Sequence, residues 1–185
     1  LSYLVAGVIL AIAVVKARTE LDDRTAPLAG LTAVFIFAAQ MINFPVAAGT
    51  SGHLLGGALA AILVGPWVGM LVIAVVLAVQ ALLFADGGLT ALGANMLNMA
   101  IVATVVGWIV FRLGLRFLRS RTGAAVVAGV AGFVSVPAAA LGFVAEYAVG
   151  GTAPVSISAV AAAMGGVHVL IGIGEGVITG MVVAA

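Results

Sequence analysis

The sequence has no cysteine. Disulfides and thiolate metal ligands are therefore excluded, and the redox compartment stays open. Charge is almost as scarce, at 7% of 185 residues, against roughly 25% in a soluble domain. Seven basic residues cannot make a broad phosphate-binding surface, so no nucleic-acid partner is expected. Aromatics are few, at 6%, with only two Trp and two Tyr beside eight Phe, which counts against a large cavity for an organic ligand. There is no Gly-x-x-x-x-Gly-Lys-Ser/Thr loop, so any ATP hydrolysis tied to this protein belongs to another chain. No catalytic pair is identifiable either: Ser51-Gly52-His53 puts a hydroxyl near a base, but no third residue orients them. The reading is therefore a non-enzyme.

What the chain has in quantity is apolar surface. Hydrophobic residues make up 65% of it, with a mean hydropathy of +1.39. A soluble fold of this size cannot hide that much apolar area. The apolar runs are long and continuous, whereas barrel strands alternate over about ten residues. The expected fold class is an all-α integral membrane protein, a single compact bundle over residues 1–185. The chain opens on Leu1 and closes inside an apolar run, so both ends read as incomplete or processed, and no removable signal peptide is apparent.

Seven segments are expected, over residues 1–17, 28–46, 53–64, 67–85, 89–113, 123–149 and 154–183. Pro27 opens the second, Gly65-Pro66 closes the third, and Pro137 predicts a kink in the sixth. The third is too short to cross alone, since a crossing takes roughly 20 residues. All basic residues fall in two loops: Lys16, Arg18 and Arg24, then Arg112, Arg116, Arg119 and Arg121. Seven crossings put both loops on one face, which the positive-inside rule makes cytoplasmic. The N-terminus, the loop at 47–52, Asp86 and the loop at 150–153 then face outward, and the C-terminus lies inside.

Polar residues within membrane segments are costly, and each is a candidate for function. Here they are Gln40, Asn43, His53, Gln80, Asp86, Asn95, Asn98, His168 and Glu175. His53 follows a glycine-rich stretch at a helix start, where a neutral imidazole could bind metal or serve only as a hydrogen-bonding group. Asn95 and Asn98 share a helix face. His168 and Glu175 lie two turns apart, suited either to an ion relay or to fixing neighbouring helices. Met41, Met96 and Met99 are soft donors at spacings that also suit packing. Small residues at Gly7/Ala11, Ala13/Ala17 and Gly172/Gly176/Gly180 permit close helix approach. They fit internal packing or a docking face for another membrane protein. No internal repeat supports an inverted-repeat transporter.

Three blocks carry a family resemblance. The first is Phe44-Pro45-Val46 with Gly49-Thr50-Ser51-Gly52-His53-Leu54-Leu55-Gly56-Gly57. The second runs from Val79-Gln80-Ala81 through Ala85-Asp86-Gly87-Gly88 to Asn95, followed by Asn98-Met99. The third is His168-Val169-Leu170-Ile171-Gly172-Ile173-Gly174-Glu175. Together they resemble the CbiM/NikM-type membrane components of energy-coupling-factor transporters for cobalt and nickel. The resemblance implies a substrate-capturing subunit in a bacterial or archaeal cytoplasmic membrane. Its partners would be a transmembrane coupling subunit, a pair of cytoplasmic ATPase subunits and, in many systems, a small accessory membrane protein. Co(II) or Ni(II) would be substrate, with no bound cofactor. The family's metal ligands are the terminal amine, a histidine after the initiator methionine, and the histidine of the Gly-His block, here His53. The first two are not in this sequence and are expected ahead of Leu1.

A planar nitrogen set of that kind suits Ni(II), Co(II) and Cu(II) over Mg or Ca. It weakens in acid, because its ligands must be deprotonated. Asn95, Asn98, Gln80 and His168 are expected to orient the ligands from behind, and Ala13 and Ala17 to dock the coupling subunit. Two rivals stand beside this reading: a capture subunit for an organic micronutrient and a passive metal channel.

Overall fold

A computed structural model describes residues 1–47 and 50–185. Gly49 of the first motif block therefore lies outside the described residues. Among the described residues there are seven helices: α1 (Ser2–Ala17), α2 (Thr25–Gln40), α3 (Gly57–Val64), α4 (Pro66–Leu83), α5 (Gly88–Gly114), α6 (Arg121–Gly150) and α7 (Ile157–Ala184). A short antiparallel hairpin, β1 (Asn43–Ala47) and β2 (Thr50–His53), separates α2 from α3. Four helices, α4 to α7, are long and apolar enough to cross a membrane. Their outward faces carry exposed Leu82, Leu141, Leu170 and Ile173, as expected where the surrounding solvent is lipid rather than water.

The second and third segments differ from expectation. The α2 helix stops at Gln40, not at 46, and Asn43 opens a strand instead of ending a helix. Proline restricts the residue before it to extended conformations, so Pro45 turns Phe44 out of the helix. The hairpin pairs Asn43 with His53 and Phe44 with Gly52. The chain from Leu54 to Gly56 is then a non-helical strap. Gly56 sits at φ +75°, and an added Cβ would lie 2.7 Å from Ile36 Cγ2. Only glycine satisfies both constraints, and this fixes the late start of α3.

With eight residues, α3 is about 12 Å long and covers less than half of the hydrocarbon core. Strap and helix together make the third passage. Its two ends are placed by contacts. At one end, Glu20 of the α1–α2 loop accepts hydrogen bonds from Trp67 N and Val68 N, at 3.0 and 2.9 Å. A carboxylate at the first turn of α4 also complements the helix dipole. Thus the Gly65-Pro66 turn lies beside the Lys16–Arg24 loop, as seven passages require. In the same loop, Asp22 accepts from Thr25 N and Arg24 N. Those bonds, led by that to Thr25, hold its carboxyl below the ordinary range. The cap on α2 therefore persists above the ordinary carboxylate range and is lost only in acid. At the other end, His53 lines the same cavity as Asp86 and Gly87 of the α4–α5 turn. The Tyr3 hydroxyl bonds Leu89 O, so the start of α1 is at that end too.

The α6 and α7 helices pack closely along their length. A Cβ added at Gly176 would stand 2.7 Å from Gly129 O, and one at Gly172 would stand 2.9 Å from Phe133 O. The Gly172/Gly176/Gly180 row is thus an internal packing surface. The α6 helix runs unbroken through Pro137. Proline cannot donate to the Phe133 carbonyl, and Gly172 approaches that same group. Ser120 and Ser156 cap α6 and α7 by accepting from Gly123 N and Ala159 N.

One expectation is corrected outright. Ala13 and Ala17 are 0% and 1% exposed, packed inward against α4 and the central core. Their small side chains serve the bundle's own packing, so they cannot form an exposed docking face.

Candidate functional site

A cavity of about 320 Å³ opens at the end of the bundle opposite the basic loops. His53 reaches it from the hairpin, Asp86 and Gly87 from the α4–α5 turn, Asn95 and Asn98 from α5, and His168 from α7. Met99, Phe143 and Met164 supply much of its apolar wall. Of the residues singled out from the sequence, His53, Asp86, Asn95, Asn98, Met99 and His168 converge here. Gln80 does not line the cavity. It is 2% exposed within α4, and its Nε2 has no hydrogen-bond partner among the described residues. Of the three methionines considered, only Met99 reaches the wall.

The two imidazoles are prepared in the same way. His53 Nδ1 lies 2.8 Å from Leu54 O, and His168 Nδ1 lies 2.7 Å from Met164 O. A carbonyl only accepts, so Nδ1 is the donor in each neutral ring and Nε2 keeps its lone pair. A backbone carbonyl behind the ring, fixing tautomer and orientation, is the usual support for a metal-binding histidine. His168 points into the site from a buried position, 7% exposed.

Asn98 lies in a π-helical stretch of α5, Met96–Ala103, a local widening often found at functional positions. Its Nδ2 donates to Ala94 O and to Glu146 Oε1, both at 3.0 Å. The other oxygen of Glu146 accepts from Ser2 Oγ at 2.9 Å. Glu146 therefore ties the beginning of the chain to the cavity wall. Sequence reading passed over it, although the criterion that selects Glu175 selects Glu146 too: a lone carboxylate in an apolar run. Any residues ahead of Leu1 extend from this rim.

Glu175 has a different role from its neighbours. It is 3% exposed, and its two oxygens accept from Leu55 N at 2.9 Å and Gly56 N at 2.6 Å. Gln40 Nε2 donates to Leu55 O at 2.7 Å. Non-helical backbone inside a membrane must find such partners, and α2 and α7 supply them to the strap. His53 is the residue immediately before that strap.

Chemically, the cavity offers two oriented imidazoles, amide groups, one carboxylate and two thioethers. Among the described residues, no three His, Cys, Asp or Glu side chains come together as a complete metal-binding cluster. The volume far exceeds the ~10–15 Å³ that one water needs, so there is room for further ligands around a cation.

Comparison with known proteins gives a consistent result. The CbiM family, described as the cobalt uptake substrate-specific transmembrane region, matches residues 1–185. The fused NikMN protein of Archaeoglobus fulgidus is 42% identical over 184 residues, covering 100% of this chain and 60% of that one. The cobalt transport protein CbiM of Sorangium cellulosum is 41% identical over 124 residues, 66% of this chain and 55% of the relative. A crystal structure of a truncated transition metal transporter superposes with a TM-score of 0.89 at 33% identity, covering 98% of this chain and 91% of that one. The chain thus spans about 60% of the length of the Archaeoglobus relative. A match over the whole chain, together with a shared fold, establishes that this multi-pass membrane protein belongs to the CbiM family.

Proposed function

We propose that the chain is the metal-capturing membrane subunit of an ATP-driven uptake transporter for Co(II) or Ni(II). The observation that carries this reading is the shared cavity of His53 and His168, each with Nδ1 tied to a carbonyl. The cavity lies at the rim where Ser2 and Tyr3 are anchored. His53 and nitrogen ligands ahead of Leu1 hold the cation, while Asn95, Asn98 and His168 orient them. Gln80, which does not line the cavity, drops out of that group.

The basic residues support the orientation. Lys16 lies in the last turn of α1, Arg18 and Arg24 follow it, and Arg112 and Arg121 flank the far end of the α5–α6 pair. The positive-inside rule then makes the cavity face external. Metal enters from outside, and a coupling subunit with two ATPases drives its passage inward. Copper binds nitrogen donors more tightly than nickel or cobalt, so selectivity rests on geometry and supply. The organic-micronutrient reading is weaker, because Phe143 is the one Phe, Tyr or Trp among the described residues that line the cavity.

Vesicles provide the test. The full-length protein, co-assembled with its coupling and ATPase subunits, accumulates radiolabelled Co(II) or Ni(II) only while ATP is hydrolysed. Equal flux through the full-length protein alone, without ATP, contradicts the proposal and makes it a passive channel.

A further inference from the structure

The strap Leu54–Gly56 is a partition. Leu55, with His53, faces the outer cavity. Leu54 and Gly56 face a second, smaller void toward the basic end, lined also by Gln40, Glu175 and Thr179. That void holds about 10 Å³, close to the space of a single water. Two observations make it unusual for the interior of a membrane bundle. Glu175 is a carboxylate in the spanning part of α7, and among the described residues its hydrogen-bond partners are the backbone N–H groups of the partition. Gln40 is fully buried, at 0% exposure, and its Oε1 has no hydrogen-bond partner among the described residues. A buried acceptor without a donor is costly, and here it borders the same void as the carboxylate.

We propose that Glu175 is the inner station of the metal path. Its carboxylate is clamped to the strap while the path is shut, and it receives the cation when the strap moves aside. This rests on the capture reading of the outer cavity. The charge logic is simple. Two N–H dipoles stabilise the buried carboxylate in the shut state, and a divalent cation replaces them once the strap leaves. Gln40 Oε1 then gains the positive partner it lacks. Oxygen donors hold Co(II) and Ni(II) less firmly than nitrogen donors do. Transfer from the histidine site to Glu175 therefore loosens the cation, as a path needs if what enters is to leave. Thr179 borders the void one turn further along α7, and it too is buried, at 1% exposure. The same clamp sits two residues from His53, so one movement of the strap shifts the capture ligand and uncovers the inner station.

The test uses the complete transporter in vesicles, together with Ni(II) titration of the full-length subunit. In Glu175→Gln, ATP-driven Ni(II) uptake at saturating metal falls by about a hundredfold or more, while Ni(II) affinity stays within about tenfold. Glu175→Asp keeps a carboxylate and recovers part of the uptake. Gln40→Leu keeps the Glu175 bonds to Leu55 N and Gly56 N, gives up the Gln40 bond to Leu55 O, and lowers uptake about tenfold while Ni(II) affinity stays within about threefold. It carries the test if Glu175→Gln fails to accumulate. The inference is overturned if uptake by Glu175→Gln, or by Gln40→Leu where that variant carries the test, stays within about twofold of the unaltered protein. It is equally overturned if affinity and uptake fall in proportion, because Glu175 then only braces the strap. Failure of the unaltered protein to bind Ni(II) is a separate result, which removes the capture reading itself.

Discussion

Replacing His53 with alanine lowers the affinity of the full-length protein for Co(II) and Ni(II) by about a hundredfold or more. The size follows from the ligand count. A four-ligand metal site of about 10–16 kcal/mol spreads to about 3 kcal/mol per ligand, and every 1.4 kcal/mol is tenfold. The fold should survive the change, because the strap after His53 is held from elsewhere, by Glu175 and Gln40. Among the described residues, the ring's hydrogen bond is to the next residue's carbonyl and not to a distant helix. Titration calorimetry on detergent-solubilised protein checks the loss. An affinity unchanged in His53→Ala removes His53 from the site.

The second large effect is expected at Glu146. Glu146→Ala deprives both Ser2 and Asn98 of an acceptor. Asn98 keeps its bond to Ala94 O, so α5 itself is undisturbed, but the start of α1 is released from the cavity wall. Groups that orient metal ligands from behind typically contribute 10–100-fold in affinity, and a loss of about that size is predicted. Glu146→Gln retains one acceptor oxygen and should fall between. Glu146 is not among the residues lining the cavity, so the predicted loss comes from released anchoring of Ser2 and Asn98 and not from a lost metal ligand. Unchanged affinity in Glu146→Ala would show that anchoring Ser2 is irrelevant to capture.

Much of the fold is legible in the sequence because membrane helices announce themselves by length. The four long apolar runs become α4 to α7 with boundaries close to those expected. The two basic loops correctly put the Gly65-Pro66 turn beside the Lys16–Arg24 loop. The stretch from 41 to 56 is not legible, because short apolar runs do not distinguish strand from helix. There Pro45 and the positive-φ Gly56 decide, and their effect depends on where Ile36 packs. The Ala13/Ala17 row was open in a different way. A stripe of small residues fits an internal neighbour as well as an external one, and only the tertiary packing of α1 against α4 chooses.

The site divides similarly. His53, Asn95, Asn98 and His168 meet in one cavity, as the motif blocks suggest. Gln80 belongs to the same block as Asn95 but sits on an adjoining helix, whose rotation no spacing within the block determines. Glu146 and Glu20 carry roles that a stricter use of the polar-in-membrane criterion and of helix-start chemistry would have flagged. What the sequence alone cannot show is the pairing: Glu146 with Ser2 across 144 positions, or Glu175 with Leu55 across 120.

The account stands or falls on where the cation is held. The most direct measurement is a Ni(II) titration, under identical conditions, of the protein with its native amino terminus and of a chain beginning at Leu1. Tight binding by the first and loss of at least about a hundredfold in the second is the predicted result, with His53 needed in both. Equal affinity in the two proteins would place the whole site within the residues described here and contradict a cavity completed from the rim.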